Sequence, residues 1–548
     1  MNTEKYLIGF NIGPIYEVMK HSNKTRELWF GSYLFSMLIK MVYDKLDEKG
    51  YTIIKPFYEK TNITDEKTTA GLFPDRIVAK THKSKEEVFK ELQKIMEDVK
   101  TKFAVNINKL IKAECDRTIT DKDKNNHKAA KNPNGLTEKI IKEYLQLDFV
   151  IIPQEKIDDK DIIKEVESYL DAIEVNRLFT PGKNEPTCYR CKSLPSVVEV
   201  FEQWESIPNQ KQKLCPFCFI KLRSHFSNEI QKLTGIKEEK PFPSLVDISA
   251  IELKEKHPSV FKKYEDQDEQ LLFEDSEIKK QVKDYHKYYA LYMADGDNLS
   301  KVSKHLKSPV ELSKYLFNFG KSVYHIAKKE FKGEPIYIGG DDIFAIIPFA
   351  FNTETEVKTI FDFALRINEE YNNQVASKIS NTGKDNTRLS AAIVIAYHKF
   401  PLAMALDEVQ KQLFGVAKQI ENKNGLAIKF IQHSGAESKF SRRFDDPMLT
   451  TYTNLYKSVL ASKEGFPAVH HKIDKYKTLL TNLTQDFQLN NLLEKRFYEG
   501  FADKKSKELF AELMNSTLVK LLKGKQAEKE LNAVNDMLHV LKFIKGEK

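Results

Sequence analysis

The stretch IYIGGDDIFAIIPF, residues 336–349, sets two adjacent carboxylates, Asp341 and Asp342, behind two glycines and between two apolar runs. A second acidic pair, Asp295 and Asp297, lies in MADGDNLSK, where the apolar run YYALYMA ends. Crowded carboxylates repel, and one takes up a proton unless a cation relieves the conflict. Mg²⁺ or Mn²⁺ prefers oxygen ligands and commonly keeps a phosphate as a further one. Two such ions suit in-line nucleotidyl transfer, one at the attacking hydroxyl and one at the leaving pyrophosphate. Gly339 and Gly340, lacking a Cβ, fit a tight turn and the close approach of a triphosphate. Lys418, in FGVAKQIENKNG, could reach that triphosphate, and equally could be a solvated helical lysine. The backbone amides of Asn298 and Leu299 open the turn after the acidic strand and offer a phosphate cradle. An acidic hairpin turn without function is the plain alternative, since Asp and Gly are common in turns.

These residues meet only if the surrounding elements bring them together. From residue 288 the pattern runs strand, helix, strand, strand, helix, strand, with one further helix and strand to about 435. That order predicts a ferredoxin-like β-α-β-β-α-β plan, in which the hairpin turn lies beside the end of the first strand. The N-terminal part repeats the order. KYLIGFNI, YTIIKPF, GLFPDRIVAKT and LQLDFVIIPQ read as strands, with helices between them. Aligning FNIGPI with MADGDN, and LFPDRIVA with IGGDDIFA, puts Ile12 at the place of Asp295, Pro74 at Gly340 and Arg76 at Asp342. Only Asp75 keeps an acid there, so this copy is expected to be catalytically silent.

Two CxxC pairs, Cys188/Cys191 and Cys215/Cys218, make a four-thiolate set, while Cys115 stands alone in a helix. Four thiolates close a zinc coordination sphere, so the ion would be structural. The 23-residue spacer between the pairs is longer than usual for a zinc ribbon, and a loop absorbs the excess. His470 and His471 diverge on a helix and read as surface residues. The lysine-rich loop at 121–131 could touch RNA or simply be solvated. From about 447 the pattern is helical to the end.

A chain of 548 residues exceeds one core. The expected fold class is α+β, with two ferredoxin-like domains. We divide it into a silent domain (1–180), a four-cysteine zinc module (181–225), a helical connection (226–283), a catalytic domain (284–440) and an all-α domain (441–548). With 41% hydrophobic and 30% charged residues, no apolar run long enough to span a membrane and no signal-peptide pattern, the chain reads as cytoplasmic. The net charge of +8 permits a nucleic-acid partner without demanding one.

The hairpin GGDD with ADGDNLS resembles the palm domain shared by nucleotide cyclases and polymerases, including GGDEF cyclases. GFNIGPIYEVMKHSNKTRELWFGSYLFS resembles the opening of the large polymerase/cyclase subunit of type III-B, Cmr-type CRISPR RNA-silencing complexes. RLSAAIVIAYHKFPLAMALDEVQ, the paired CxxC motifs and LHVLKFI extend the resemblance over essentially the whole chain. The resemblance implies other effector subunits, a guide RNA and a target RNA as partners. It implies a palm, activated by target RNA, that joins ATP into a signalling nucleotide, commonly cyclic oligoadenylate. It implies that Asp295, Asp341 and Asp342 hold Mg or Mn, with the Gly296 carbonyl as a further ligand and Asp297 as a structural residue. Two palms in one chain would face each other as GGDEF dimers do. The acceptor could instead be S-adenosyl methionine, or the subunit a non-enzymatic scaffold. Many relatives begin with an HD nuclease domain; none of the 13 histidines here precedes an aspartate, so no HD-type cleavage is expected.

Overall fold

The first strand, β1 (Tyr6–Gly13), is buried along its whole length, and its run is apolar or glycine except at Asn11. It is followed by helices α1 (Ile15–Met19) and α2 (Thr25–Glu48), strands β2 (Thr52–Lys55) and β3 (Arg76–Thr81), and helices α3 (Lys85–Thr120) and α4 (Leu136–Tyr144). Strand β4 (Gln146–Pro153) completes the sheet, and α5 (Ile162–Glu174) packs on it. The computed structural model describes residues 5–59, 73–120, 135–174, 186–204, 207–223, 242–264, 269–306, 308–379, 386–464, 466–467, 469–482, 486–522 and 527–545. The lysine-rich loop at 121–131 lies outside them. The sheet order is β2-β3-β1-β4, antiparallel throughout.

The second domain repeats this plan. Strand β7 (Tyr288–Asp297) leads to the single turn α7 (Leu299–Val302) and helix α8 (Pro309–His325). The hairpin β8 (Glu334–Gly339) and β9 (Asp342–Pro348) follows, then helix α9 (Ile360–Gln374), strand β12 (Arg388–Tyr397), helix α10 (Leu402–Gly415) and strands β13 (Gly425–Ile431) and β14 (Glu437–Arg443). A short ladder, β10 (Ala350–Asn352) with β11 (Val357–Thr359), precedes α9. The sheet order β14-β13-β12-β7-β9-β8 contains, at β12-β7-β9-β8, the same four-strand arrangement as the first domain. Strand β14 was not foreseen, and the expected boundary at 440 falls inside it. Local chemistry sets the helix starts. Ser308 accepts from the Val310 amide ahead of Pro309 in α8, and Thr359 and Asp362 form a capping box on α9.

Alternation along the central strand determines which face each acid joins. Tyr289 and Leu291 pack with Phe344 and Ile346 into a core shared with α10 and the first domain. Tyr288, Ala290 and Tyr292 pack on the opposite face with α8, α9 and the C-terminal helices. Asp295 and Asp342 continue the first series, so both carboxylates belong to the face turned to the first domain.

The cysteine segment is built onto the first domain. Its spacer folds as a hairpin, β5 (Val198–Trp204) with β6 (Ile207–Leu214), which accounts for the long spacing. Helix α6 (Pro216–Arg223) follows, and Lys221 donates to the Val18 carbonyl and the Ser22 hydroxyl. The Arg190 guanidinium bonds the fully buried Glu27 at 2.8 Å. Trp29 is buried, stacked on Phe242 with centroids 5.2 Å apart. The described part of the helical connection holds four short helices between Leu245 and Glu274.

Among the described residues, five helices follow: α11 (Pro447–Ala461), α12 (Val469–Asn482), α13 (Asp486–Arg496), α14 (Lys504–Leu522) and α15 (Ala527–Lys545). They dock on β14 through Arg442–Glu530 at 2.9 Å and Ser438–His539 at 2.8 Å. His470 corrects its expected surface position. It is buried, 3.9 Å ring to ring from His471 and 5.4 Å from His539, because its helix turns that face inward. Cys115 is buried in α3 among apolar side chains, as its small thiol suggested.

Candidate metal and nucleotide site

Gly339 pairs with Asp342 across the β8–β9 hairpin, leaving Gly340 and Asp341 as its two-residue turn. Gly340 has φ +78°, the left-handed value that a glycine in the first turn position supplies without strain. A Cβ on Gly339 would collide with the Tyr337 ring. The adjacent aspartates are therefore not equivalent: Asp341 sits in the turn and Asp342 begins a strand.

β7 and β9 pair through Ala294↔Ile343, so Asp295 stands next in register, opposite Asp342. Asp341 packs its side chain against the Gly296 backbone. A Cβ there would come within 2.9 Å of the Asp341 Cβ and 3.0 Å of its Oδ2. The fold thus brings Asp295, Gly296, Asp341 and Asp342 together at one edge of the sheet.

The crowding has electrostatic consequences. Burial, with repulsion from Asp295, pushes the Asp341 carboxyl up to about 7, while Lys55 opposes the shift. Burial and the charges of Asp295 and Asp341 push Asp342 well above the usual carboxylate range. Burial also raises Asp295, against the pull of Lys418. Lys418 lies in the turn after α10, where its ammonium donates to Asp295 Oδ2 and approaches the Gly296 carbonyl at 3.4 Å. It stands on the acidic cluster rather than in open solvent.

Asp297 lies one step deeper, its Oδ1 3.7 Å from the Lys418 ammonium. It is buried, and its Oδ2 accepts from Ser390 Oγ at 2.6 Å and from the Asn424 amide at 3.3 Å. These bonds tie the end of β7 to β12 and β13, a structural role. Asn298 takes φ +60°, and its carbonyl accepts from the Lys301 and Val302 amides, which closes the turn that follows the acidic strand.

Three residues near the site carried no sequence signal. Ser390 fixes Asp297. Tyr337 on β8 accepts from the Asp75 amide of the first domain. Lys55 at the end of β2 pairs with Glu167 at 2.7 Å and is felt by Asp341. Each depends on a long-range contact that local pattern does not encode.

The expected equivalence of the two domains needs one adjustment. Arg76 pairs with Asn11, and the Ile12 amide donates to the Asp75 carbonyl at 3.0 Å. Ile12 therefore faces Asp75, and the sequence alignment is one residue out on one strand. Either register leaves a single acid.

Among the described residues, the group of His, Cys, Asp or Glu placed to hold a metal ion is the four cysteines, whose ligand atoms all lie within 4.8 Å of one another. Cys191 and Cys215 sulfurs are 3.8 Å apart, matching the S···S edge of about 3.8 Å for tetrahedral zinc with Zn–S near 2.3 Å. The Cys218 amide donates to Cys215 Sγ at 3.4 Å. Hydrogen bonds from neighbouring thiols hold Cys191 low, while burial pushes Cys215 up. The set could hold zinc and leaves no protein-ligand position open for substrate.

Comparison with known proteins agrees with this architecture. Residues 288–427 match the family described as Cas10/Cmr2, second palm domain, and residues 7–112 match CRISPR-associated protein Cmr2, N-terminal. CRISPR system Cmr subunit Cmr2 from Pyrococcus furiosus is 22% identical, the alignment covering 78% of this chain and 62% of that protein. The chain thus spans less than two thirds of the curated relative it matches. Two cryo-EM structures of the type III-B Cmr-beta complex share the fold at 13% identity. The apo state has a TM-score of 0.57, covering 92% of this chain and 78% of that one. The complex bound to cognate target RNA has a TM-score of 0.59, with 91% and 79% covered. The two family matches fall in the expected order, the Cmr2 N-terminal model on the first domain and the Cas10/Cmr2 second-palm model on the domain that carries the acidic hairpin.

Proposed function

We propose that the second domain is a metal-dependent nucleotidyltransferase, activated when a guide RNA in a type III effector complex pairs with target RNA. Its substrate is ATP, and its product is a signalling nucleotide of the cyclic oligoadenylate type. The observation that carries this reading is the cross-strand register of Asp295 with Asp342, with Asp341 packed on the Gly296 backbone. Asp295, Asp341, Asp342 and the Gly296 carbonyl would hold Mg²⁺ or Mn²⁺. Bound there, such ions would lower the pKa of the attacking hydroxyl and neutralise the leaving pyrophosphate.

The rest falls to the chain itself. Lys418 favours the ionised form of Asp295 against the effect of burial, and its ammonium can turn from the carboxylate to a phosphate oxygen as nucleotide arrives. Gly340 keeps the turn free of a side chain where the nucleotide approaches. The acceptor hydroxyl attacks the α-phosphorus, its oxygen forms the new P–O bond, the bond to pyrophosphate breaks, and the hydroxyl proton leaves to solvent. The silent domain forms the facing wall, and the thiolate centre holds a structural zinc beneath it. Other effector subunits and the two RNAs are partners in this reading, supported by the assemblies named for its relatives.

The test is product analysis by mass after mixing the assembled, target-activated complex with labelled ATP, with and without S-adenosyl methionine. An oligoadenylate product that is lost in Asp341→Ala/Asp342→Ala supports the reading. A methionine adduct would change the acceptor. Unchanged signalling in the double variant would leave only a scaffold, with Lys418–Asp295 a structural ion pair.

A further inference from the structure

The two domains meet around a small cleft, open in part to solvent. Lys55, Phe57, Tyr58 and Phe73 of the first domain line one side; Ser313, Phe317 and Gly340 of the second line the other. The hairpin turn opens into this space: a Cβ on Gly340 would meet only Leu316, at 3.9 Å. The cleft is pinned by the Phe57 amide donating to Ser313 Oγ at 2.5 Å and by Ser32 Oγ donating to the Ile336 carbonyl at 3.1 Å. Tyr337 reaches across to the Asp75 amide.

At its head the cations are unevenly committed. Arg76 is held between Asp171 at 2.6 Å and Glu174 at 3.0 Å. Among the described residues, Lys55 pairs with the Glu167 carboxylate at 2.7 Å, and the charges of Asp341 and Asp75 also act on it. Its side chain is 18% exposed, so it is desolvated yet reachable from the cleft. A partly buried ammonium on a flexible stem exchanges a carboxylate for a phosphate oxygen at little cost, because both are anionic acceptors.

We propose that Lys55, supplied by the silent domain, is a positioning residue for the phosphate chain of a nucleotide seated at the β8–β9 turn. Glu167 holds the lysine between turnovers, and the phosphate takes that place when nucleotide enters the cleft. This inference rests on the nucleotidyltransferase reading and gives the silent domain a direct part in it. It also explains why a domain with a single acid keeps a charged group aimed at the acidic hairpin of its neighbour.

The experiment compares the assembled complex carrying the native chain, Lys55→Met, Lys55→Arg and Lys55→Met/Glu167→Gln, measuring KM and kcat for ATP and equilibrium binding of ATP with Mg²⁺. Losing one charge-assisted phosphate contact should weaken ATP binding and raise KM by about tenfold or more, with a smaller change in kcat. Lys55→Arg should restore most of it. The double variant removes the unpaired Glu167 charge and should stay as weak as Lys55→Met. If the double variant recovers native KM, Lys55 only neutralises Glu167 and the inference is overturned. Native values for Lys55→Met overturn it as well. An inactive native complex that still binds ATP more tightly than Lys55→Met would instead count against the nucleotidyltransferase reading.

Discussion

The two β-α-β-β-α-β domains share strand order, antiparallel pairing and a hairpin beside the end of the first strand, and differ in charge at that hairpin. In the first, Ile12 faces Asp75, and the neighbouring Arg76 is neutralised by Asp171 and Glu174. In the second, Asp295 faces Asp342 with Asp341 alongside, and Lys418 is the cation bonded directly to the group. The first balances its charges internally. The second carries more acid than its bonded cation can satisfy, which is the condition under which a divalent ion is recruited. One backbone plan thus carries either internally balanced charge or an acid-rich edge, according to a few side chains.

The contrast breaks most sharply on substitution of its acids. Asp341→Ala/Asp342→Ala should cut product formation by about a thousandfold or more, as expected when several kcal/mol of metal-borne stabilisation is lost. Asp75→Ala should leave it within about twofold, and equal losses would show that the domains are not so divided. Elemental analysis should find one zinc per native chain and none in Cys215→Ser, whose first domain should melt roughly 10 °C lower. The double aspartate variant should keep its zinc.

Lys418→Met should slow turnover by about 10- to 100-fold, the scale of one charge-assisted bond, measured at saturating ATP. The pH dependence follows from Asp341. Its carboxyl rises from 3.8 in an ordinary setting to about 7 when folded, so the folded chain binds the proton more tightly. Without divalent metal, that contribution to stability is full below about pH 4 and is lost as pH rises to about 7. Melting temperatures in chelator should fall across that window, Mn²⁺ should reverse the fall, and Asp341→Asn should flatten it. The smallest effect belongs to Gly340→Ala, which forces a Cβ into φ +78° and should cost about 1 kcal/mol by denaturant titration.

Much of this was legible in the residues. The apolar runs separated by Gly and Asp gave both sheets and their order, and the GGDD and ADGD motifs identified the edge where acids gather. The CxxC pairs gave the thiolate set without help from the fold, since two ligands three residues apart are close in almost any local structure. What escaped notice depended on side chains far apart in sequence. Strand β14 extends the sheet with a run, ESKFSRR, that holds a single apolar side chain, Phe440, and so carries no apolar periodicity. His470 was misplaced because its burial comes from the partner helix α15. The one-residue offset in the first domain reflects a register that only backbone pairing fixes.

The amino-acid sequence alone determined the types and spacing of the acids, the thiolates and the flanking strands, because turn chemistry and apolar periodicity act over a few residues. The tertiary structure alone decided that Lys418 reaches Asp295, that Asp297 is tied to Ser390, and that Lys55 comes to the head of the cleft beside Gly340. Those placements come from packing between elements more than a hundred residues apart in several cases, where contact is set by the shape of a shared core rather than by local pattern.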